Sequence, residues 1–240
     1  MSVQASYLSV HLYIFIDVEA LQMKDIVDVK HYSPIEELIN ISSHAIGFVF
    51  SIVALALLVR HANMYGGVLH VVSFGVFGIS LITLYAASTI YHSAKDLKLR
   101  NRLRILDHAS IYILIAGTYT PFTLITLGGS TGWTIFAISW GMAITGIVLK
   151  CFFTGRFDLI STFMYVFMGW IIVFALEPLV DNLSYDGLFW LVAGGIAYTM
   201  GAVLYSIEKM KLNHATFHLF VLIGSFCHFV SVFFYVLPGE

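Results

Sequence analysis

Charge is scarce in this chain. Asp, Glu, Lys and Arg make up 11% of its 240 residues, while 59% are hydrophobic. The mean hydropathy is +0.89, and a soluble domain carries about a quarter charged residues. That shortage points away from a soluble globular protein and toward a polytopic membrane protein that is almost all membrane domain. The net charge is −2 with neutral histidines, so nothing suggests a nucleic-acid partner, and membrane lipids are the surroundings to expect. Two cysteines, Cys151 and Cys227, cannot make a disulfide framework, and no C-x-x-C occurs. A phosphate-binding loop, a G-x-G-x-x-G fingerprint and a G-x-S-x-G elbow are also absent from the sequence. Linkers, low-complexity runs and a second domain are lacking as well.

What is present is a series of apolar runs close to the roughly 20 residues that a spanning helix needs. Seven can be marked: Leu38–Val59, Val68–Tyr91, Ile105–Leu127, Thr131–Phe153, Leu159–Leu176, Gly187–Ile207 and Ala215–Leu237. The fold class expected is all-α, an integral bundle of seven transmembrane helices. Lys24, Lys30, Lys95, Lys98, Arg100, Arg102, Arg104, Lys150, Arg156, Lys209 and Lys211 all fall on one side of such a bundle, and only Arg60 falls on the other. By the positive-inside rule the N-terminus is cytoplasmic and the C-terminus outside. Residues 1–33 then form an N-terminal cytoplasmic segment and residues 34–240 the membrane domain. Tyr7–Ile16 is apolar but too short to span, and no basic n-region or small-residue cleavage site marks a signal peptide. Met23 precedes a polar stretch leading into the first helix, so residues 1–22 can lie upstream of the true start.

Polar residues gather at one end of this arrangement. Glu37, Asn40 and His44 share a stripe of the first helix at i, i+3 and i+7. Ser88 and His92 stand at i and i+4 at the end of the second, Asp107 near the start of the third, and His214 and His218 at i and i+4 at the start of the seventh. Polar groups at membrane depth are costly and are functional by default. Three neutral imidazoles with one open position make a catalytic-type zinc site, which lowers the pKa of bound water to about 7. His92, His214 and His218 are the candidate ligands for one zinc ion, and Asp107 is the candidate base. Ala215 follows His214, so the H-E-x-x-H base is missing and a base must come from another helix. Ser88 is placed to hydrogen-bond a ligand from behind or to touch a substrate oxygen. Three readings stand for Glu37, Asn40 and His44. They hold a ligand in place by hydrogen bonds, or His44 is a fourth ligand that closes the site, or they are cap and interfacial residues. The first is preferred.

The set Glu37-x-x-Asn40-x-x-x-His44, Ser88-x-x-x-His92, Asp107 and His214-x-x-x-His218 resembles the hemolysin III family, which belongs with the progestin and adipoQ receptors, the adiponectin receptors among them. Tyr85-Ala-Ala-Ser-Thr-Ile-Tyr-His92-Ser, Leu106-Asp107-His108 and Ala116-Gly117-Thr118-Tyr119-Thr120-Pro121-Phe122 are similar to its bacterial branch. The resemblance covers about residues 33–237. It implies His92, His214 and His218 as zinc ligands with Asp107 and Ser88 around them, and seven helices with the N-terminus inside. The receptor and alkaline ceramidase branches imply hydrolysis of a lipid amide, and the family name implies lysis or pore formation.

Other polar residues have blander readings. His228 lies about 15 Å beyond His218 along its helix and off the pair's face, as a hydrogen-bonded core histidine would. His61 and His70 sit at the opposite end, and His108 points about 100° away from Asp107, toward headgroups or a neighbour. Pro121 is expected to kink the third helix and Glu177-Pro178 to end the fifth. Trp133 and Trp190 read as interfacial belt residues. Gly141, Gly146, Gly194, Gly195 and Gly201 read as sites of close helix packing. The function expected is a zinc-dependent hydrolase of an amide or ester in a lipid-like substrate, in a bacterial-type plasma membrane. The alternative is a receptor, lytic or channel-like protein with structural zinc. A metal or proton transporter would want polar groups at the midplane as well.

Overall fold

A computed structural model describes residues 32–154, 157–207 and 209–237. The question of a start at Met1 or Met23 lies outside the described residues. Every regular element described is helical: α1 Pro34–Tyr65, α2 Val68–Ser93, α3 Leu97–Pro121, α4 Gly129–Phe153, α5 Asp158–Gly169, α6 Leu176–Asn182, α7 Tyr185–Tyr205 and α8 Asn213–Ser231. A π-helical turn, Phe122–Leu127, prolongs α3, and another, Val232–Val236, prolongs α8. A 3-10 turn, Ile171–Ala175, joins α5 to α6. These segments make seven helices long and apolar enough to cross a membrane, the fifth being Leu159–Asn182.

Helix starts follow local chemistry. Ser33 accepts the Glu36 N–H at 3.2 Å with Pro34 at the first helical position, and Asp96 accepts the Leu99 N–H at 2.8 Å. Both caps lie outside the apolar runs, so α1 and α3 start earlier than hydropathy places them. Arg100 and Arg104, expected in a loop, are therefore on the first turns of α3.

The most extensive packing is α1 on α2, α2 on α3 and α7 on α8, and α1 against α8 closes the ring. With lipid outside, helices gain little from burying apolar groups, so close approach over small residues counts. A side-chain carbon at Gly47 would stand 2.6 Å from the Tyr85 ring, and one at Gly201 would stand 2.8 Å from Phe220. Gly146 and Gly194 are likewise filled by Tyr112 and His228. Gly141 faces open space and Gly195 meets Trp170 only at ordinary contact distance, so for these two the packing expectation is corrected.

Proline behaves in two ways. Past Pro121 the α-helical ladder gives way to the π-helical turn, as its missing N–H requires. Pro178, in contrast, does not end the fifth span. It sits in the first turn of α6, where a backbone N–H would have no intrahelical partner and its absence costs nothing. The break comes earlier, at Gly169-Trp170. There Tyr119 of α3 donates its hydroxyl proton to the Gly169 carbonyl at 2.9 Å and accepts the Ile172 N–H at 3.0 Å. Backbone groups freed within a bilayer must be satisfied by protein, and one tyrosine satisfies two of them.

Candidate metal centre

His92 stands on the last turn of α2, and His214 and His218 on the first turns of α8. All three are buried, and their Nε2 atoms converge: His92 to His214 at 3.0 Å, His218 to His214 at 3.1 Å. Nitrogens bound at about 2.0–2.1 Å around a tetrahedral zinc stand roughly 3.3 Å apart, so the scale is that of a metal centre.

The outward nitrogens decide the protonation. His92 Nδ1 lies 2.8 Å from a Glu37 carboxylate oxygen, and His218 Nδ1 lies 3.3 Å from the Asn40 backbone carbonyl. A carboxylate and a carbonyl only accept, so each Nδ1 carries a proton, and the neutral tautomer with that arrangement turns a bare Nε2 lone pair inward. In that tautomer both lone pairs meet His214 Nε2, which has at most one proton to offer. At least one inward contact is unsatisfied without a cation, and outward hydrogen bonds of this kind are what metal-binding histidines make. The residues fit a divalent metal ion.

Glu37 is held in turn. Its other oxygen pairs with Arg100, and the Asn40 side-chain amide donates to it at 3.3 Å. Arg100 also donates to the His92 and Ala94 carbonyls at 3.4 Å and lies 4.8 Å over the Tyr91 ring. His44 is not one of the converging three. Its ring lies flat on His218, with centroids 3.6 Å apart at 6°, so its contact is ring on ring where a hydrogen bond was expected. Asp107 and Ser88 are buried side by side, the carboxyl within the field of His92 and Arg100 but outside the converging group. His108 is among the residues that line the cavity described next, and its backbone carbonyl accepts from the Tyr165 hydroxyl at 3.1 Å.

Beside the cluster, between α3, α5, α7 and α8, runs a mainly apolar cavity of about 210 Å³. Asp107, Ser88, His214 and His218 lie on its wall at the end nearest the basic loops, and Leu179 and Leu188 lie near the other.

Sequence reasoning missed Arg100, which read as a topology signal. The available clue was spacing: Arg100, Arg104 and Asp107, at i, i+4 and i+7, form one buried stripe of α3, whereas Lys98 and Arg102 are exposed. It also missed Tyr32, stacked on His214 at 4.6 Å. Burial, with Tyr205 and Tyr91 nearby, pushes the Tyr32 phenol well above its usual range, so it remains a neutral hydroxyl. Lys150, which read only as a topology signal, is buried on α4 and lines the cavity.

A seven-helix bundle with three histidines converging near one membrane face defines a class of multi-pass membrane protein. The chain belongs to the haemolysin-III-related family, whose model matches residues 32–229. It is 50% identical over 203 residues to Hemolysin-3 of Bacillus cereus, covering 85% of this chain and 93% of that protein. It is 46% identical over 200 residues to the Hemolysin-3 homolog of Bacillus subtilis (strain 168), covering 83% and 94%. Human monocyte to macrophage differentiation factor is 26% identical over 209 residues, 84% of each chain, in keeping with the wider superfamily.

Proposed function

We propose that the protein is a zinc-dependent hydrolase acting on an amide or ester bond of a lipid-like substrate, with the histidine end of the bundle facing the cytoplasm of a plasma membrane. The observation that carries this reading is the convergence of three imidazole nitrogens, two of them from residues on the wall of an apolar cavity, His214 and His218, with an acid and a hydroxyl on the same wall. Cavities of that kind, apolar with a few convergent polar groups, are the usual form of small-molecule sites.

His92, His214 and His218 hold the ion, with His92 fixed by Glu37, and His218 by Asn40 and His44. A zinc ion there supplies Lewis acidity and brings the pKa of water to about 7. Asp107 takes the proton of the attacking water and returns it to the leaving nitrogen or oxygen. Ser88 donates its hydroxyl proton to the oxyanion of the tetrahedral intermediate. The apolar wall holds the acyl chain and keeps bulk water out.

The test is metal content and turnover on the purified protein. Wild type is expected to carry one zinc per chain, lost in the double variant His214→Ala/His218→Ala. Asp107→Asn is expected to keep zinc and fold while long-chain amide or ester hydrolysis falls by about a hundredfold or more. Undiminished turnover in Asp107→Asn overturns the role given to that residue, and absence of metal after zinc addition overturns the reading as a whole.

A further inference from the structure

His228 lies ten residues beyond His218 on α8, about 15 Å farther along the helix. It is 5% exposed and forms part of the cavity wall. Its Nδ1 is wholly buried and has no hydrogen-bond partner among the described residues. Space is made for the ring by Gly194 of α7, where a side-chain carbon would stand 2.7 Å from His228 Nε2. Tyr198, also on the wall, has its ring 5.2 Å from that of His228. The neighbouring hydroxyls do not relieve the histidine. Tyr85 donates to Ser225 at 2.7 Å, and Tyr198 and Ser225 share a hydrogen bond of 2.8 Å, so these three satisfy one another across α2, α7 and α8. An imidazole left unpaired at this depth costs free energy that a hydrophobic residue would not, which marks it as a functional group.

We infer that His228, with Tyr198 beside it, forms a second polar subsite on the cavity wall. It takes a hydroxyl or carbonyl group carried partway along the chain of a long amphiphile whose head lies at the three histidines. The inference rests on the lipid-substrate reading and narrows it: the favoured substrate is a lipid with an oxygenated chain. The shared cavity wall sets the geometry. The head group meets Asp107, Ser88 and the histidines, the chain runs past the apolar residues between, and the mid-chain oxygen meets His228.

The experiment compares two probes on the full chain in lipid nanodiscs, a saturated long-chain fatty acid and the same acid with one mid-chain hydroxyl. Binding is read by calorimetry. The hydroxy acid is expected to bind about five- to tenfold tighter than its parent, the worth of one buried hydrogen bond. In His228→Leu the preference disappears while affinity for the parent acid and metal content stay as in wild type. His228→Gln, which keeps a donor, retains part of it, and His228→Phe repeats the test if the leucine variant fails to fold. Equal affinities in wild type, or a preference that survives in His228→Leu, overturn the subsite and leave His228 bonded to an internal water only. Failure of both acids to bind overturns the long-chain occupant as well, and so is told apart from failure of the subsite alone.

Discussion

Glu37 of α1 meets His92 of α2 at 2.8 Å with one oxygen and Arg100 of α3 with the other. Three helices are thus tied at one carboxylate, and the tie sets which nitrogen of His92 faces the centre.

Glu37→Gln weakens that tie without changing volume. Metal affinity is expected to fall about ten- to a hundredfold, the usual cost of removing a partner that orients a ligand. Arg100→Ala acts through Glu37, so its effect is smaller and not additive with the first. Zinc competition titrations of the two single variants and the double variant measure this, and full additivity would show that Arg100 works independently.

His44 supports His218 through a stacked face and supplies no ligand atom to the converging set. His44→Phe therefore keeps the metal within a few-fold of wild-type affinity, whereas His44→Ala loosens His218 and costs more. Metal content by atomic spectroscopy separates the cases: a phenylalanine variant that binds none would make His44 a ligand.

Tyr119 satisfies two backbone groups at the break in the fifth span. Tyr119→Phe leaves both without that partner and is expected to cost roughly 1–2 kcal/mol. Thermal unfolding in a mild detergent reads the loss. Unchanged stability would mean that the freed groups find other partners.

On the proposed reading a metal held by His92, His214 and His218 joins α2 to α8, and chelation removes that link. The melting temperature is expected to drop in proportion to metal affinity, and the loss is reversed by adding zinc back. In His214→Ala/His218→Ala the chelator should make no difference.

Most of the bundle was legible from sequence because a bilayer penalises polar groups so heavily that apolar runs of spanning length leave few alternatives. All seven spans appear. The convergence of His92, His214 and His218 was legible because i, i+4 spacing fixes a face and basic residues fix an end. The break at Gly169-Trp170 was not, since its cause is a tyrosine 50 residues away on another helix. Pro178 drew attention to the wrong place, because a proline's effect depends on its position within a turn. Arg100 was hidden by chemistry it shares with its neighbours: in a basic stretch, only burial separates a clamp from a charge that faces headgroups.

The nearest contact of the cluster joins His92 to His214 across 122 residues of chain. During synthesis α1, α2 and α3 emerge long before α8, so a nascent chain holds the carboxylate clamp and one imidazole while it waits for the other two. The three imidazoles can converge only once α8 has joined the other helices, so on the proposed reading the affinity for metal arises only then. On the proposed reading zinc uptake would then act as a clock for folding: measured on stalled chains of increasing length, it should switch on in a single step as α8 leaves the insertion machinery.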